Sequence, residues 1–174
     1  MASATAGVCF AVTPDDCSTL RKHGHRPEAK TCYEVLAQSH DPYMIAEGYW
    51  GLEVYDQANN EFRAAVAQSP NNAMYRVRWG RLLHERFNNT DADNLFNEAI
   101  KLDPKNAQAY LGLALVSADG FDDKAIEYGL RTIDMDPNFF PGYFYLGLAY
   151  QVNGQFAEAA GEVPEQAWSL GWGS

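Results

Sequence analysis

Three cysteines, Cys9, Cys17 and Cys32, and a histidine pair, His23-Gly24-His25, are the residues here whose types invite chemistry. The acidic run Asp119-Gly120-Phe121-Asp122-Asp123 is a third candidate. The histidines beside the cysteines match no zinc-ligand spacing, so no metal is expected. The acidic run has too few spaced carboxylates for a calcium loop and reads as a turn followed by a helix start. There is no haem-attachment CxxCH, no phosphate-cradling glycine loop and no GxSxG elbow. No nucleophile, base and orienting group come together in the pattern, so neither an enzyme nor a cofactor is expected. What Cys17 and Cys32 can do depends on the elements that carry them.

Those elements repeat. Alanine and aromatic residues recur as Ala29-x3-Tyr33, Ala58-x3-Phe62 and Ala92-x3-Phe96, with Ala125 and Ala159 in register. Each of Ala58, Ala92 and Ala125 is followed, twelve residues on, by a proline: Pro70, Pro104 and Pro137. The prolines are 34 and 33 residues apart. In the last full unit Tyr143, Leu146, Gly147 and Tyr150 share one helical face, and Gly154 then breaks the pattern. The string Tyr143-x-x-Leu146-Gly147-x-x-Tyr150, followed by Ala159, resembles the tetratricopeptide repeat (TPR) family, whose period is about 34 residues. The resemblance covers residues 14–163. It implies an all-α fold, a right-handed α-solenoid of about four to five stacked helix-turn-helix units.

The expected organisation is residues 1–12 as an apolar arm or the remnant of a trimmed signal, 13–163 as the repeat array, and 164–174 as an aromatic tail. The repeats fall at about 13–40, 41–70, 71–104, 105–137 and 138–163. Thr13-Pro14-Asp15-Asp16 starts a helix, with Thr as the cap and acids in the first turn. Pro27-Glu28-Ala29 opens the second helix. Repeat two is compressed to 28 residues between Pro42 and Pro70, so its first helix must be short. In repeat three, Thr90-Asp91-Ala92-Asp93 reads as a capping box, in preference to Asn88-Asn89-Thr90 as a glycosylation sequon. In repeat four the turn is one residue short, and Gly129 stands where an aromatic belongs, which predicts thinner packing. Pro164 interrupts the last helix.

Cys17 and Cys32 then fall on the two antiparallel helices of repeat one, eight residues before and seven after His25. Their side chains can meet. A disulfide there would close a loop of about 15 residues, add about 3 kcal/mol in the chain-entropy model and imply an oxidising compartment. The alternative is two small core residues in a cytosolic protein. Cys9 is left over, free or intermolecular. With the apolar start, this tilts the expected location toward an exported one, periplasmic or extracellular.

A formal net charge of −10 argues against nucleic acid and favours a neutral or basic partner. No apolar run reaches the roughly 18 residues of a membrane helix. The resemblance implies a concave groove lined by the first helix of each repeat, holding a peptide or protein segment. Carried over by the alanine and proline anchors, its lining is Met74, Val77, Arg81 and His84, then Gln108, Leu111 and Leu115, then Phe144, Leu148 and Gln151. The Lys and Asn set with which some family members clamp a terminal carboxylate is absent at the matching positions. A second expectation is structural. The chain ends in no polar cap, so Val8 and Phe10 of the arm and Trp168, Leu170 and Trp172 of the tail are candidates for end-to-end contacts. Such contacts would build oligomers or filaments.

Overall fold

The computed structural model describes residues 12–120 and 122–152. The described residues form nine α-helices and no strand. The chain divides into two compact units, residues 1–65 and 66–174, with the division near the end of the fourth helix.

The first unit begins with α1 (Pro14–Lys22) and α2 (Arg26–Ala37). Thr13 caps α1: its hydroxyl accepts from the Asp16 N–H, and the Asp16 carboxylate accepts from the Thr13 N–H at 2.9 Å. The Thr13 hydroxyl, which donates to the Asp16 carboxylate at 2.7 Å, and after it the Thr13 N–H hold the Asp16 carboxyl below the usual carboxylate range. The hairpin buries Cys17, Ala29, Cys32, Tyr33 and Leu36, with Leu20, Met44 and Leu52 packed against them. Cys17 and Cys32 are joined in a disulfide, with their Cα atoms 5.4 Å apart. Next come α3 (Pro42–Gly51) and α4 (Tyr55–Gln68). At 10 residues, α3 is shorter than the 13-residue first helices of later repeats, as the compressed spacing requires. Gly48 and Gly51 let α3 lie directly on α2. A Cβ on Gly48 would fall 2.4 Å from the Ala37 backbone nitrogen, and one on Gly51 would strike the Tyr33 ring. Phe62 of α4 is fully buried, met edge-on by Tyr43 and Trp50 with ring centroids 6.3 and 5.9 Å away.

The second unit holds α5 (Ala73–Glu85), α6 (Asn89–Leu102), α7 (Ala107–Asp119), α8 (Lys124–Met135) and α9 (Phe140–Val152). The recurring alanines and their neighbours at the fourth and seventh positions make the core. Ala92, Phe96 and Ala99 of α6 are buried, as are Ala125, Gly129 and Thr132 of α8. The same rule holds in the first unit for Ala29, Tyr33 and Leu36, and for Ala58, Phe62 and Ala65. This spacing puts one stripe of each second helix against its partner. Phe96 sits between two glycines. A Cβ on Gly80 would fall 2.8 Å from its ring, and one on Gly112 2.3 Å.

Three sequence expectations need correction here. The cap of α6 is Asn88, whose carbonyl oxygen accepts from the Asp91 N–H while its amide donates to the Asp91 carboxylate at 2.8 Å. Thr90 lies inside the first turn, so the cap sits two residues earlier than the Thr-x-x-Asp spelling predicts, and no capping box forms because the Asn88 backbone N–H goes to the Leu83 carbonyl. Gly129 does not thin the packing. Its missing Cβ would lie 2.9 Å from Leu146, so the glycine lets α9 approach α8 closely. Val77 is fully buried in the core with Phe96 and Leu113, and so lines no groove.

The turns within repeats share one backbone device. Gly24, Glu53 and Phe87 have positive φ of 83°, 63° and 60°. The residue after each donates its N–H to the carbonyl five residues back: His25 to Leu20, Val54 to Tyr49 and Asn88 to Leu83, each at 2.9 Å. Asp122 makes the same bond to Ser117. The residue missing from repeat four is therefore lost after that bond, at the start of α8. There Asp123 stands as a cap residue with no side-chain cap bond.

Candidate functional site

In the second unit, α7 packs against both α5 and α9, so the first helices of three successive repeats lie side by side. The groove residues expected from the sequence distribute unevenly over this face. Arg81, Phe144 and Gln151 are exposed, whereas Met74, His84, Gln108, Leu111, Leu115 and Leu148 are half-buried. Met74 packs on the core around Phe96. At the position equivalent to the buried Val77, Leu111 is half-buried and Phe144 is 48% exposed. Apolar surface on this face therefore grows from α5 to α9. The Phe144 ring meets Tyr145 edge-on, with centroids 5.2 Å apart.

His84 is tied down. Its Nε2 lies 3.1 Å from an Asp119 carboxylate oxygen without the alignment of a hydrogen bond, and the same oxygen accepts from the Asn89 side-chain amide at 3.2 Å. This cluster joins the end of α5, the start of α6 and the end of α7. It gives His84 a role in packing that its position as a groove residue did not foretell. Arg76 links α5 to α6 by pairing with Glu98 at 2.9 Å, and it also donates to the Pro70 carbonyl, ahead of α5, at 2.6 Å.

The first unit has a different recess. Arg21, Arg26, Ala29, Lys30, Gly51, Leu52 and Glu53 line a cavity of about 450 Å³. The sequence did carry a signal for it: four of the chain's 13 basic residues, Arg21, Lys22, Arg26 and Lys30, fall within ten positions. Among the described residues, no three His, Cys, Asp or Glu side chains are grouped as metal ligands. No described helix is long and apolar enough to cross a membrane. Val8, Phe10, Trp168, Leu170 and Trp172, the expected end-contact residues, lie outside the described residues.

Paired antiparallel helices, stacked through alanine and aromatic stripes at a period near 34, define an α-solenoid class of protein. Tetratricopeptide repeat patterns match residues 78–139 and 128–160. Residues 78–160 of this chain are therefore tetratricopeptide repeats. Solved structures repeat the fold. A crystal structure of MamA protein is 24% identical with a TM-score of 0.63, the match covering 89% of this chain and 87% of that one. MamA 41-end from Desulfovibrio magneticus RS-1 is 22% identical with a TM-score of 0.63, over 90% of this chain and 91% of that one. A tetratricopeptide repeat protein from Parabacteroides merdae ATCC 43184 is 19% identical with a TM-score of 0.62, over 85% of this chain and 60% of that one.

Proposed function

We propose that this chain is a non-enzymatic protein-interaction scaffold, and that α5, α7 and α9 hold an extended peptide or protein segment across their shared face. The observation that supports the reading is the side-by-side placement of these helices, with Phe144 half exposed and Leu111, Leu115 and Leu148 beside it in register. Three helices at about 9 Å spacing span roughly 20 Å, the length of about six extended residues. Apolar side chains of the segment would sit toward α9, and Arg81 offers a charged donor toward α5. The negative net charge favours a neutral or basic segment.

Peptides selected from a random displayed library on the full chain provide the test. Substituting Arg81→Ala and Leu115→Ala together should weaken a selected peptide at least about tenfold, the loss of a small hot spot, with helicity retained. Undiminished affinity would remove this face from the proposal.

A second reading is homotypic assembly through the chain ends. It is favoured by Phe140, which is 53% exposed on α9, the last described helix, one turn before Phe144. Light scattering across a concentration series separates the two readings. Deleting residues 1–12 or 165–174 should shrink any assembly, and sizes that do not change would reject this reading.

A further inference from the structure

We propose that the cavity of the first unit binds a phosphoryl group. Its lining brings three cations, Arg21, Arg26 and Lys30, together with one carboxylate, Glu53, in a chain whose formal charge is −10. Arg21 comes from α1, while Arg26 and Lys30 stand four residues apart on α2 and share one face of that helix. Arg21 is held in place before any ligand arrives. Its guanidinium donates to the Gly51 carbonyl and lies over the Tyr33 ring, 4.6 Å from the centroid. A donor fixed in this way loses little freedom on binding.

The other two cations are available. Among the described residues no carboxylate is paired with Arg26, and Lys30 meets only the solvated Glu34, at 3.7 Å. Arg26 is the first residue of α2, whose cap, His25, makes no side-chain cap bond, so the positive end of the helix adds to the field. Ala29 and Leu52 give the cavity an apolar wall. Its volume of about 450 Å³ is that of a small-ligand site, larger than the anion alone needs. A phosphoryl group fits the donor set, because it carries about two negative charges and three strong acceptor oxygens. Two sources present that group: a free phosphomonoester with a short apolar body, and a phosphorylated side chain of a peptide.

The test titrates the full chain, oxidised and at low salt, with phenyl phosphate, with a short phosphoserine peptide and with succinate. Saturable binding of either phosphoryl probe is expected, with succinate at least about fivefold weaker; the tighter phosphoryl probe identifies the source. Arg26→Ala with Lys30→Ala should weaken binding at least about tenfold while helicity stays unchanged, since both side chains are exposed. Glu53→Gln should tighten binding several-fold, a gain that misfolding cannot produce. Lys101→Ala with Lys105→Ala, in the second unit, should change nothing. The proposal is overturned by no saturation up to about 10 mM, by equal binding of succinate, or by equal affinity in the Arg26/Lys30 variant. None of these outcomes bears on the face of α5, α7 and α9.

Discussion

The two units use the same helical hairpin and hold it shut differently. In the first, the α1–α2 hairpin is only 9 and 12 residues long per helix, and a disulfide joins the two. In the second, helices of 12 to 14 residues carry no cross-link and rest on a core threaded through glycines, with Phe96 seated between Gly80 and Gly112. A short helix buries less apolar surface than a long one and gains less from it. The covalent bond stands on the shortest of the described helices. The contrast also separates two kinds of surface: a cationic recess in the first unit and an apolar face growing toward α9 in the second.

The largest break of this comparison should come from Phe96→Ala. Removing a fully buried phenyl ring leaves a cavity that neighbouring helices cannot fill, at a cost of about 3–5 kcal/mol. Hydrogen exchange followed segment by segment should show α5, α6 and α7 losing protection while α1 and α2 keep theirs. Equal loss in α1 and α2 would mean that the units do not melt separately. The complementary change, Cys17→Ser with Cys32→Ser, should cost about 3 kcal/mol, and the loss should be confined to the first unit. Chemical denaturation of the wild type with and without reductant gives the same comparison without mutation. A reductant that leaves the first unit's protection intact would show that Tyr33, Leu36 and the α2–α3 contact suffice alone.

The smallest effect sharpens the likeness between the units. Phe87 is 87% exposed yet held at φ 60°, a conformation that costs a side-chain-bearing residue about 1 kcal/mol. Phe87→Gly should therefore stabilise the second unit by roughly 0.5–1 kcal/mol in thermal or chemical unfolding. A loss of stability would show that the ring holds the turn in some other way.

Much of this architecture was legible before any coordinates. Ala29, Ala58, Ala92 and Ala125 mark buried stripes because small residues at helical spacing permit only one close partner face. Pro70, Pro104 and Pro137 mark the chain just before α5, α7 and α9, and Pro14 and Pro42 open α1 and α3. What escaped was local chemistry with more than one spelling. The left-handed turn position takes glycine once, then Glu53 and Phe87, so composition could not flag it. Asn88 and Thr90 both suit a cap, and only the position of the first helical N–H decides between them. Gly129 read as missing bulk, because one sequence does not show that Leu146 fills the space. The groove was legible as a set of positions but not as a surface: Val77 and Phe144 are equivalent by register, and one is core while the other meets solvent. The basic recess was overlooked because a strongly acidic total hid four cations within ten residues.

The Cys17–Cys32 bond has a consequence for the order of events during synthesis. It spans 15 residues, and both partners belong to the first hairpin. Chains fold from the N-terminus as they are made. In an oxidising compartment the clasp can close on a nascent segment with two helices, before any part of the second unit exists. Few wrong pairings are then open to it, because the other cysteine in the sequence, Cys9, precedes the hairpin and none follows. The first hairpin is thus fixed in shape while the later repeats are still being made.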